Sequence, residues 1–244
     1  MTKNINNLFL IFLFVHLLLW ILAPSLTNKN LPLDTIEALA WGSNLDWGFN
    51  KHPPLSAFAV EIFYQIFGSN DWAYYLLSQL FVIAGFIAVY KFSNEIFNNQ
   101  KLALLSVLLL EGIYFYNFTT PEFNVNVAQL PFWAFTVYCT WRCIKYDKLT
   151  DYIFLGLFAG LGILSKYQLS PYLNRFLAHL RSRFPLDQLI FLPEVIYFFL
   201  HLIKVQPHIQ FFSDQKENSL NNHRYDFFFL QQINNLNPQE LNFI

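Results

Sequence analysis

The chain has 244 residues and a formal net charge of −1, and it is 55% hydrophobic but only 13% charged, with mean hydropathy +0.33. Soluble domains carry about 25% charged residues, so roughly half the usual polar coat would have to cover 29 phenylalanines. That excludes an ordinary soluble domain, since lipid tolerates such a surface and water does not. Without an excess of Lys and Arg the chain also cannot neutralise a phosphate backbone, which excludes a nucleic-acid partner.

Residues 8–24 form an apolar run without a charge, near the length a bilayer core requires, and predict a spanning helix with Pro24 close to its outer end. The run is long for a cleaved leader and no Ala-x-Ala-type site follows, so a retained anchor is expected. Residues 25–71 differ in kind: Asp34, Glu37, Asp46, Lys51, His52 and Asp71 are mixed with Trp41, Trp47, Phe49 and Phe58. An imperfect amphipathic helix over 34–47 and a second over 55–67, stopped by Gly68, are expected to lie along the membrane interface. Further spans are predicted at about 72–90, 102–118, 125–141 and 152–165. In the last, Gly156 and Gly160 form a small-xxx-small pair that allows another helix to approach closely.

Basic residues fix an expected orientation. Lys3, Lys91, Lys101, Arg142, Lys145 and Lys148 fall on one side of the spans, whereas the 25–71 and 119–124 loops hold only Lys29 and Lys51 among their acids. The N-terminus is therefore expected in the cytoplasm and the acidic loops outside. Near residue 168 this pattern stops. Arg175, Arg181 and Arg183 follow the fifth span where an external exit is due; an apolar patch at 186–203 and an Asn- and Gln-rich tail complete the chain. Residues 1–168 thus read as one transmembrane region and 169–244 as a divergent, weakly structured one. Cys139 and Cys143, one helical turn apart, read as small apolar residues, with a disulfide or metal pair as the lesser reading.

Three groups carry chemistry. Asp34 and Glu37 are three apart, so one helical turn directs both carboxylates to one face. They can serve as a general base and a metal ligand, or share a divalent ion; equally, Asp34 can cap a helix beside Pro32, with Glu37 completing a capping box. Lys51-His52-Pro53-Pro54 sets two cations before a rigid turn and can hold a lipid-linked phosphate, or be a surface turn with a snorkelling lysine. Thr120-Pro121-Glu122 returns an acid to the same membrane face and also reads as a helix start, with Thr120 as cap and Pro121 in the first position.

In order, Asp34-x-x-Glu37-Ala38, Gly48-Phe49-x-Lys51-His52-Pro53-Pro54-Leu55, Thr120-Pro121-Glu122 with Leu130-Pro131-Phe132-Trp133-Ala134, and Gly160-Leu161-Gly162-Ile163-Leu164-Ser165-Lys166-Tyr167 resemble the motifs of C-type polyprenyl-phosphate-sugar-dependent glycosyltransferases. That superfamily includes protein O-mannosyltransferases and the aminoarabinose transferases of lipid A. Glu122 stands where the family usually has Asp, and the resemblance covers roughly residues 8–168.

The resemblance implies an all-α, polytopic helix bundle in the bacterial inner membrane. It implies transfer of a sugar from a polyprenyl-phosphate donor to a lipid, glycan or protein acceptor at the external face, with inversion. Asp34, Glu37 and Glu122 are implied as catalytic, Lys51 and His52 as the donor-phosphate site, and Asp34 with Glu122 as holders of a divalent ion. Family members are about twice this length, so a truncated and inactive remnant is one expectation. The alternatives are a non-catalytic membrane subunit or a transporter fragment, for which Glu111 is the candidate intramembrane charge.

Overall fold

A computed structural model describes residues 2–49 and 51–166 of the chain; the apolar patch and tail expected beyond 168 lie outside the described residues. The described part is helical throughout: α1 (Thr2–Thr27), α2 (Leu33–Gly42), α3 (Leu55–Phe67), α4 (Asp71–Phe97), α5 (Gln100–Glu111), α6 (Val125–Tyr146) and α7 (Leu149–Ser165), with a 3-10 turn at Tyr114–Tyr116. It is a helical membrane bundle. Two of its helices, α1 from Asn4 and α4, are long and apolar enough to cross a bilayer.

The central element is α4, which packs against α1, α3, α5 and α6, while α7 covers the far side of α6 and α2 packs on α3. Tyr74, Tyr75, Phe86 and Val82 of α4 are buried, as are Val107, Phe123 and Val127 around them. By contrast α1 buries mainly Phe9, Leu13 and His16 and leaves Leu10, Ile11, Phe14 and Val15 exposed. An apolar face on that scale is stable against acyl chains, not water. Phe135 and Phe158 stack at 4.6 Å between α6 and α7, where Gly156 and Gly160 are buried. Cys139 and Cys143 are buried free thiols.

Several helix ends differ from the hydropathy reading, for local reasons. α1 continues through Pro24, where Ser25 and Thr27 return hydroxyl bonds to Ile21 O and Ala23 O in the last turn. α4 runs to Phe97 because its last charged turn finds partners on α6, and it ends on Asn98 at φ 47°, a left-handed position that Asn tolerates. α5 stops at Glu111, well before 118, where Gly112 closes it and the chain tightens into the 3-10 turn. α2 ends at Gly42, with Leu45 at φ 51° in the turn that follows. Gly42 is required there. A Cβ on it would stand 2.8 Å from Ala57 O, so a side chain would pry α2 from α3. α3 ends on Gly68 at φ 64°, a conformation that glycine adopts without strain.

Up-and-down packing gathers two sets of segments at opposite ends of the bundle. One end holds the close of α1, all of α2 and α3, residues 112–124 and Lys166. The other holds the 98–99 and 147–148 turns with the charged last turns of α4 and α6.

Candidate functional site

The first of those ends is built around α2. Its N-cap is Pro32, which offers no side-chain bond, so Asp34 lies in the first helical turn and does not cap it. The acceptor for that turn comes from across the molecule instead: Asp34 N donates to Glu122 Oε1 at 3.2 Å. A carboxylate at a helix N-terminus also meets the positive end of the helix dipole. One residue on, Thr35 clamps Phe123 by two bonds, Thr35 Oγ1 to Phe123 O at 3.2 Å and Phe123 N to Thr35 Oγ1 at 3.1 Å. Thr35 and Phe123 are both buried, so each such bond contributes about 1 kcal/mol net and costs more to break one-sidedly.

The segment carrying Glu122 is not itself helical. α6 starts only at Val125, and its cap is Asn124, whose side chain accepts from Asn126 N and Val127 N. Thr120 therefore does not cap a helix. Its hydroxyl donates to Asn117 O at 2.9 Å and accepts from Gln79, while its carbonyl accepts from Ser78. Glu122 is thus fixed on both sides, by α4 through Thr120 and by α2 through Phe123.

Glu37, one turn after Asp34, has a different partner: its Oε2 accepts from Lys51 Nζ at 2.8 Å. The pair is exposed, so on its own it adds little to stability. The loop that supplies Lys51 is folded over Trp41. That indole stacks on Phe49 at 5.4 Å and meets His52 edge-on at 5.9 Å, and Phe49 N donates to His52 O at 3.1 Å. Pro53 and Pro54 are buried just before α3. Aromatic packing and the Pro-Pro turn together hold His52 and Lys51 beside α2.

The electrostatics tie these groups together. Glu122 is pushed above the ordinary carboxylate range, first by burial and then by the negative charge of Asp34, against the pull of the Asp34 amide. Lys51 is raised by its bond to Glu37, with Asp34 adding to it. His52 is lowered, by burial first and then by Lys51 and Lys166, so it is neutral at pH 7. Asp34 acts on all three, and among the described residues its own carboxylate accepts no hydrogen bond.

Lys166 is the site residue that sequence reasoning left out of its candidate set. It lies just past α7, and its Nζ donates to Asn126 Oδ1 at 2.7 Å on the first turn of α6. Counting the predicted spans would have found it, because α7, the fifth of them, ends at the same end of the bundle as Glu122.

For the expected divalent ion, no group of three or more His, Cys, Asp or Glu side chains comes together among the described residues. Asp34 and Glu122 supply two carboxylates, one already accepting an N–H bond. Such a set suits a magnesium-like cation that completes its shell with water and substrate phosphate, and does not make a closed protein site.

The profile of the dolichyl-phosphate-mannose-protein mannosyltransferase family matches residues 51–208. The chain belongs to this family. It is thereby a C-type glycosyltransferase family member. Of the expected site residues, Lys51, His52 and Glu122 fall inside the matched segment; Asp34 and Glu37 precede it. The match also runs past 168, to 208. A curated relative, the undecaprenyl phosphate-alpha-4-amino-4-deoxy-L-arabinose arabinosyl transferase of Wigglesworthia glossinidia brevipalpis, is 27% identical over 144 residues, 54% of this chain. The chain spans about a quarter of that relative's length, since 25% of it is covered. No solved structure matches the chain.

Proposed function

We propose that this chain acts in sugar transfer from a polyprenyl-phosphate donor to an acceptor hydroxyl at the external face of a bacterial inner membrane. Its N-terminus lies in the cytoplasm. The observation that carries the reading is the contact of Asp34 N with Glu122 Oε1 at 3.2 Å, beside the Lys51–Glu37 pair. It draws together acids 88 residues apart at one end of the bundle, near Lys51, the cation the reaction needs. The names of the matched family and of the curated relative support a polyprenyl-linked donor.

The chemistry assigns each group a task. The acceptor oxygen attacks the anomeric carbon, the bond from that carbon to the phosphate oxygen breaks, and the lipid phosphate leaves as the dianion or its protonated form. Asp34, whose carboxylate takes no hydrogen bond from a described neighbour, receives the acceptor proton. Lys51 meets the departing phosphate as a mobile point charge, and His52, neutral at pH 7, donates a hydrogen bond to it. Glu37 holds Lys51 at the site until a phosphate takes its place. Glu122 fixes the start of α2 and thereby the position of Asp34. Asp34 and Glu122 would hold a divalent ion, which when bound supplies positive charge beside the leaving phosphate.

The test is transfer of a labelled sugar from polyprenyl phosphate in membranes containing the chain or its Asp34→Asn variant. Removing a positioned base is expected to lower the rate about 10²- to 10⁴-fold. Equal transfer by both refutes the role of Asp34.

A further inference from the structure

A polar chain of contacts runs through the bundle beneath the site. Trp20 Nε1 donates to Glu111 Oε1 at 3.2 Å, Glu111 Oε2 pairs with His16 Nδ1 at 2.7 Å, and His16 Nε2 meets Gln79 Oε1 at 3.0 Å. Gln79 Nε2 then donates to Thr120 Oγ1 at 3.3 Å, and Ser78 bonds the Thr120 carbonyl. The path closes on itself. Thr120 bonds Asn117 O, and Asn117 Nδ2 donates to Glu111 O at 2.6 Å, so side chain and backbone of Glu111 sit at the two ends of one ring. Three helices and the 117–122 segment contribute to it.

Such a ring is costly unless it is needed. His16, Gln79, Asn117 and Thr120 are all buried, in a bundle whose neighbouring positions are apolar, and polar groups there lose hydration that only complete bonding restores. Ionisable side chains at membrane depth mark function by default. With Gln79 donating onward to Thr120, its carbonyl oxygen faces His16, and the imidazole is left with acceptors on both nitrogens. Neither partner can turn without breaking the next bond. The ring therefore fixes the position and direction of Thr120 against α4, as non-directional apolar packing does not, and Glu122 is two residues further on.

We propose that His16, Glu111 and Gln79 are positioning residues: they lock the 117–122 segment against α4 so that Glu122 meets the start of α2. The inference rests on the sugar-transfer reading for its purpose but not for its test. It also accounts for Glu111 as a structural partner of His16 and Trp20 instead of a charge lining a transport path.

The full chain, with Cys139 and Cys143 replaced by alanine, is spin-labelled in membranes at Leu33→Cys and Thr119→Cys, one label on each side of the site. A second labelled pair, Phe97→Cys and Leu149→Cys, reports the opposite end. Gln79→Leu and His16→Phe are expected to replace a single narrow Leu33–Thr119 distance with a broad distribution, while the second pair keeps its own. His16→Gln, which still donates to Gln79, is expected to retain the narrow distance. An unchanged Leu33–Thr119 distribution in Gln79→Leu and His16→Phe overturns the proposal, and so does equal broadening of both pairs, which would make the ring a general packing element. Because the measurement involves no turnover, its result stands apart from whether sugar is transferred. Where transfer is seen, Gln79→Leu is expected to lower kcat about 10²-fold with the donor KM unchanged; a raised KM at constant kcat would overturn the positioning role.

Discussion

The two ends of the bundle carry similar numbers of charges and use them in opposite ways. At the end with the 147–148 turn, Arg142 binds Asp151 at 2.7 Å and Glu95 at 2.9 Å, Tyr138 donates to the same Glu95 oxygen, and Lys145 stands 3.8 Å from the other. Tyr146 adds its ring under Arg142, Lys145 and Lys148. Acids and bases there pair across α4, α6 and α7, although Glu95 Oε2 and Asp151 Oδ2 each stay buried without a hydrogen bond among the described residues. At the other end Asp34, Glu122 and His52 are held by backbone bonds and aromatic packing, and two like-charged acids are kept near each other. The first arrangement fastens helices together. The second leaves the Asp34 carboxylate without a hydrogen bond among the described residues, beside Glu122, as the proposed site for a phosphate and an acceptor hydroxyl requires.

That contrast can be broken by single substitutions. The largest effect is expected from Glu122→Gln, which keeps an acceptor for the Asp34 amide but removes a carboxylate that would hold the divalent ion: transfer assayed with a labelled donor should fall about 10²- to 10³-fold. Next comes Arg142→Ala at the fastened end. It strands Asp151, whose side chain is 6% exposed, and leaves Glu95 only Tyr138 and Lys145, and should cost about 3 kcal/mol of stability in detergent unfolding. Activity per folded molecule should stay unchanged. Should Arg142→Ala leave stability intact while abolishing transfer, the assignment of the two ends would be reversed.

A smaller change is expected for Lys51→Ala. Loss of one charge-assisted bond to the donor phosphate should raise the donor KM about 10- to 100-fold and leave folding untouched. Smallest is a stability difference with a definite sign. Glu122 binds its proton more tightly in the folded chain than an ordinary glutamate does, so its favourable share of folding is complete at low pH. That share is lost as pH rises through the raised value. At pH 7 its charge therefore works against folding, and Glu122→Gln should unfold at a temperature no lower than the parent. The two curves should converge as pH is brought toward 4. A variant clearly less stable than the parent at pH 7 contradicts this balance.

Much of the architecture was legible because local rules set it. Residues 55–67 are bounded by Pro-Pro on one side and Gly68 on the other, and α3 runs from Leu55 to Phe67. Long apolar runs gave α1 and α4, though hydropathy cannot see that the charged end of α4 stays helical when Arg142 supplies the partner. The site was legible in its parts and not in its assembly. Spacing correctly put Asp34 and Glu37 on one helix, but only the folded chain turns Glu37 to Lys51 and brings Glu122 to the Asp34 amide. Thr120-Pro121-Glu122 looked like a helix start because those residue types favour one. The buried acceptor role of Thr120, opposite Gln79, overrides that local preference.

The Thr35–Phe123 clamp joins residues 88 positions apart. A ribosome adding about 5–20 residues per second needs several seconds to cover that interval. During that time α2 has left the ribosome with its first turn uncapped and no partner for the Thr35 hydroxyl. Assembly of this end must therefore wait for the 117–124 segment to arrive.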